Sequence, residues 1–103
     1  MTASFSEQFR ITSKLWVDAD AAANILEETK SAVLAEMMLA HADIAVNRAE
    51  MLTKASPQWK EHIEKMVNAR SAANRLKVQL EYIRMRFSEQ QSTEATRRRE
   101  MGL

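Results

Sequence analysis

Apolar residues recur along this chain at three- and four-residue steps, with almost nothing to interrupt them. Phe5, Phe9, Leu15, Ala19, Ala22, Leu26, Val33, Met37, Ala40, Ile44 and Met51 follow the period of one helix face. A second apolar row, Trp16, Ala23, Leu34, Met38, Ala45 and Leu52, runs beside it. Ser4 followed by Glu7 is a capping-box pattern, in which each side chain can satisfy the other's backbone N–H. From there to Pro57 no Gly or Pro occurs, so the pattern predicts one long helix over about 5–55. Thr12 and Ser13 are the expected place for a break or kink, because both can hydrogen-bond locally against the helix.

Lys54-Ala55-Ser56-Pro57 reads as an end and a restart. Ser56 is a good N-cap, and Pro57 suits the first helical position because its missing N–H would have been unpaired there anyway. The second helix, about 57–98, has a regular seam. Trp59, Met66, Ala73, Leu80 and Phe87 fall seven apart, and His62, Ala69, Leu76 and Ile83 fill the intervening places. The tail 92–103 loses the apolar period and either extends this helix or frays.

The spacing therefore predicts an all-α fold, one domain over 1–103, with two long helices and a turn at 55–57. So short a connection folds them back antiparallel as a hairpin. Pairing outward from the turn brings Ile44 toward Ala69, Ala40 toward Ala73, Val33 toward Leu80 and Leu26 toward Phe87. The rod would be on the order of 60–70 Å long. Two helices share one seam, yet the first helix carries two apolar rows. The surplus row, Trp16, Ala23, Leu34, Met38, Ala45 and Leu52, is the expected oligomer interface. It implies a homodimer that completes a four-helix bundle, or else another protein as partner.

Composition narrows the chemistry. With a single Gly and a single Pro in 103 residues, a β-rich domain or a loop-built active site lacks its turn residues. The absence of cysteine removes disulfides and thiolate metal sites and fits a cytoplasmic setting. Glu7 and Arg10 interrupt the stretch where a signal peptide would be apolar. The most apolar window, 32–46, is broken by Glu36, His41 and Asp43, and it is shorter than the roughly 20 residues a bilayer requires. No membrane partner is expected.

No Gly-rich loop is present to cradle a phosphate, and neither His41 nor His62 has a Glu three residues before it, as a helical di-metal site would need. The sequence thus points to no catalytic residues, no cofactor and no metal, and to a binding protein instead of an enzyme. Net charge is +1, but it is unevenly spread: residues 1–55 sum to −3 and residues 56–103 to +4. Arg70, Lys77 and Arg84 form a basic row beside the seam, open either to acids of the first helix or to an anionic partner. Arg75, Arg86, Arg97, Arg98 and Arg99 are the residues expected to touch such a partner. The alternative function is accordingly direct nucleic-acid binding by the basic second helix and tail. Tyr82 alone offers a nearby aromatic surface, so no stacking platform for single strands is built.

Trp16-Val17-Asp18 running on to Leu26-Glu27-Glu28-Thr29-Lys30, together with Phe87-Ser88-Glu89 through Ser92-Thr93-Glu94-Ala95-Thr96-Arg97 to Glu100-Met101, resembles small helical proteins from the early, recombination region of temperate bacteriophages. That resemblance implies a phage-encoded accessory protein in a bacterial cytoplasm, engaging a replication, recombination or host-defence protein. It implies no catalytic residue. The secreted helical hairpins with a Trp-x-Gly turn are a second comparison, but Trp59 is followed by Lys60 and Glu61, without the glycine.

Overall fold

The computed structural model describes residues 3–102, all helices and short connections. Helix α1 spans Phe5–Glu28, α2 Lys30–Met38, α3 Val46–Lys54 and α4 Pro57–Glu100, with a 3₁₀ turn at Leu39–His41. Ser4 caps α1 by accepting from the Glu7 N–H at 3.2 Å. The reciprocal half of the capping box is not made: the Glu7 carboxylate is drawn to Arg10 on the next turn, 3.1 Å from its Nε.

The single first helix expected over 5–55 is divided. Thr12 and Ser13 do not break it; the helix runs through both, and Thr12 is buried. The interruption comes at Thr29, whose hydroxyl donates to the Ile25 carbonyl at 2.7 Å. The backbone ladder continues on either side of it, through Thr29 N–H to Ile25 and Val33 N–H to Thr29. Thr29, at φ −91° and ψ 1°, is therefore a joint between α1 and α2; the same kind of hydroxyl bond at Thr93 and Thr96 leaves α4 continuous.

The chain doubles back later, at 39–45, and it does so without a glycine. Met38, Leu39 and Ala42 all keep right-handed helical angles, and the direction changes when Ala45 adopts ψ 142°. Ser56 and Pro57 begin a helix as the sequence indicates. The Ser56 hydroxyl accepts from Trp59 N–H at 3.2 Å and donates to the Thr53 carbonyl at 2.6 Å, so one side chain joins the end of α3 to the start of α4. That junction is not the reversal, however: α3 packs on α2, while α1 lies along α4.

The expected register changes accordingly. Phe87 meets Phe5, ring centroids 6.2 Å apart, instead of Leu26, and Arg70 reaches Asp20 and Glu27. The order of these pairs makes α1 and α4 antiparallel. It also leaves Ser88–Glu100 beyond the end of α1, exposed on all sides. The molecule measures 83 × 22 × 18 Å. A 44-residue helix accounts for about 66 Å of that at 1.5 Å per residue, so the α2–α3 pair prolongs the rod. Ala23 and Ala73 are the most deeply buried residues of α1 and α4, and their small side chains let the two backbones come close. Ala40, expected opposite Ala73, is instead exposed at the tip. Among the described residues no helix is long and apolar enough to cross a membrane.

Candidate interaction surface

The seam between α1 and α4 has two flanks of different chemistry. On the first, Arg70 is the centre. Its Nε donates to Glu27 at 2.8 Å, its Nη1 to Asp20 at 2.7 Å, and its Nη2 to both Asn24 and Glu27. These bonds, Glu27's first and Asp20's second, hold the guanidinium further above its ordinary value, and the Arg70 bond holds the Glu27 carboxyl below its own. Two heptads further on, Arg84 covers the Phe9 ring at 5.4 Å, a cation–π contact. Of the two readings open to the basic row, pairing within the chain therefore accounts for Arg70, and packing on an aromatic ring accounts for Arg84. Among the described residues Lys77 has no ion-pair partner.

The second flank is plainer. Gln8 and Ile11 of α1 share a groove with Gln79, Tyr82, Ile83 and Arg86 of α4. Leu15 and Ile25, further along α1, are exposed.

The six residues expected to form one interface row do not share a face. Ala23 is 0% exposed, and Trp16, seven residues earlier, is half-buried on the same side of α1. Phe9, Trp16 and Ala23 continue the heptad of the seam, so Trp16 and Ala23 belong to the intramolecular core and not to an outer surface. Two positions of the row expected in the seam, Leu15 and Ala22, are exposed in their place, whereas Phe5, Phe9, Ala19 and Leu26 of that row are half-buried as expected. Leu34 and Met38 are half-buried on α2, which packs against α3; Ala45 and Leu52 are exposed near the reversal. These four form part of the tip. There, Leu39, Val46 and Met51 are the most exposed large apolar residues of the described chain, at 72%, 71% and 68%.

The arginines singled out for anionic contact are all exposed. Arg75 donates to Ser71 Oγ at 3.3 Å, Arg86 lies 3.7 Å from Glu89, and Arg97, Arg98 and Arg99 occupy the last turn of α4. They complement the negative end of that helix dipole. The structure spreads them along one helix; Arg86 and Arg97 share a groove with Phe5, Glu89 and Glu94, and the others lie apart from it.

His62 stacks on Trp59 with ring centroids 5.7 Å apart, and its Nε2 is buried without a hydrogen-bond partner among the described residues. His41 sits at the tip. Among the described residues no three His, Asp or Glu side chains are grouped closely enough to hold a metal ion. No known protein family, curated protein or solved structure matches this chain. The reading of function therefore rests on the surface itself.

Ile11 and Ile25 were missed by the sequence rows. Their signal is the run Ile11, Leu15, Asp18, Ala22, Ile25 at alternating four- and three-residue steps, disguised by the charge in its middle.

Proposed function

We propose that the chain is a non-enzymatic protein-binding module: a helical hairpin whose arms are α1–α2 and α3–α4, presenting apolar side chains to a partner protein. One observation carries this reading. The accessible surface is 8136 Å², whereas a compact monomer of 11.8 kDa exposes about 5,900 Å². The radius of gyration, 23.1 Å, compares with about 13 Å for a compact chain of this length. A rod this thin leaves many of its large apolar residues exposed, Leu39, Val46 and Met51 above all, and apolar side chains gathered at one end mark interfaces.

The tip residues Leu39, Val46 and Met51 supply the contact for a foreign partner. The resemblance to phage early-region proteins supports a replication, recombination or host-defence protein as that partner, in a bacterial cytoplasm. The test is cross-linked capture from a bacterial host. A defined host protein should be recovered with the wild type and with Arg97, Arg98 and Arg99 changed to Glu, and lost with Leu39→Glu plus Val46→Glu. Recovery that ignores the tip substitutions would sink the reading.

A second reading is favoured by the Arg97-Arg98-Arg99 turn, exposed at the end of α4. It would neutralise phosphates of a nucleic acid. Such binding falls steeply with salt, so a gel shift present at low salt and abolished by charge reversal of the three arginines would favour it over protein binding.

A further inference from the structure

We propose that a second copy of this chain docks on the flank of the α1–α4 seam that carries Ile11, Leu15, Ala22 and Ile25, forming a four-helix homodimer. The inference deepens the protein-binding reading by naming one occupant of the uncovered surface, at a place separate from the tip.

The two flanks of the seam are not equivalent. Ion pairs between α1 and α4 lie on the Arg70 side, where Asp20 and Glu27 are already satisfied within the chain. On the other side Gln8 and Ile11 line the groove shared with Tyr82. Residues seven apart lie on one helix face, so this flank continues from Gln8 to Leu15 and Ala22, and from Ile11 to Asp18 and Ile25. Among the described residues no ion pair crosses the seam here. Ile11, Leu15, Ile25 and Tyr82 are between 44% and 61% exposed. From α4 the same periodicity brings Ala72 and Gln79, seven residues apart and in step with Arg86 of the groove.

Three points select a second copy as the occupant. The first is area: the 8136 Å² surface exceeds the compact value by roughly 2,200 Å², well above the ~800 Å² per partner that a standard interface removes. The second is shape, since this flank is a straight apolar strip along a helix that packs side by side with a like strip. The third is charge. In a two-fold contact each face meets its own copy, and this one carries Asp18 together with Arg86 of the groove, so opposite charges are available to the pair. A net charge of +1 adds little repulsion.

Light scattering of the purified chain tests this. The wild type should show twice the 11.8 kDa chain mass. Leu15→Glu combined with Ile25→Glu should halve that value while circular dichroism stays helical, because both side chains are largely solvated in the single chain. Val17, 55% exposed, is the control: it lies seven residues before Asn24, a partner of Arg70, and therefore on the other flank. Val17→Glu should remain dimeric. A wild type of single-chain mass overturns the proposal, as does a double variant as dimeric as wild type, or a Val17→Glu that dissociates equally.

If the double variant does not fold, the cysteine-free background provides a second measurement. Leu15→Cys should react with a maleimide more slowly as protein concentration rises, and Val17→Cys should not; equal behaviour of the two overturns the proposal. Failure here with tip-dependent capture intact leaves the protein-binding reading standing. Loss of tip dependence with the dimer intact removes that reading and leaves this one.

Discussion

At the scale of single residues, the least conspicuous side chains hold the structure. Ala23 is fully enclosed where α1 meets α4, and no room exists there for a larger group. Ala23→Leu is expected to force the helices apart and cost about 1–3 kcal/mol, read as a lower melting temperature. Ala22→Leu, next in sequence and exposed, should change the melting temperature of the single chain far less. Ser56 works through hydrogen bonds instead, receiving from Trp59 and giving to Thr53. Ser56→Ala should cost about 1 kcal/mol as a lost N-cap, measurable by urea denaturation.

Helices come next, and here the sequence was legible in one arm and misleading in the other. Every position of the predicted α4 seam from Trp59 to Ile83 is buried or half-buried, because one strict heptad with Pro57 at its start leaves a single solution. In the first arm two adjacent apolar rows are present, and periodicity alone does not say that the inward face takes Phe9, Ala19 and Leu26 from one and Trp16 and Ala23 from the other. Burial of Trp16 and Ala23 resolves it, through contacts with a helix more than forty residues away. The reversal at 39–45 has no mark in the sequence for another reason: Leu39 and Ala42 keep helical angles, and none of the Gly or Pro that signals a turn is present. A turn expected at 55–57 displaces every expected cross-arm pair with it, as Phe87 meeting Phe5 shows.

The Arg70 cluster is the electrostatic tie between α1 and α4, and it has a pH signature. Glu27 ionises more easily in the fold than its ordinary 4.5. Its contribution is therefore complete above that value and is lost as pH falls through the lower, folded-state one. Arg70→Ala should lower the melting temperature at pH 7 and remove part of the decline seen on acidification below 4.5. High salt should narrow the difference between wild type and variant, since the cluster is open to solvent. An unchanged acid profile would show that α1 is held by the apolar seam alone.

At the scale of the whole molecule, shape governs behaviour. The exposed Ser88–Glu100 segment borders α1 at its start, where Phe5 shares a groove with Glu89, Gln90, Thr93 and Glu94, and isolated helices of that size are marginal in water. Truncation after Gln91 should therefore reduce helical ellipticity while leaving the melting temperature of the remainder nearly unchanged. A marked loss of stability would show that this segment supports the rod. The fold class was readable from the scarcity of turn residues; the site was not, because which apolar strip faces outward depends on how the arms align.

The turn at 39–45 contains no left-handed residue and no glycine, and the chain leaves it through the extended ψ of Ala45. Nothing in it ties the arms to a particular length. Inserting one heptad into α1 and a matching one into α4 should carry the tip about 10 Å farther from the arginine end, with the bend itself intact. The distance between the two ends of the rod should thus be resettable by seven-residue increments without rewriting either end, a change in length that small-angle scattering would read.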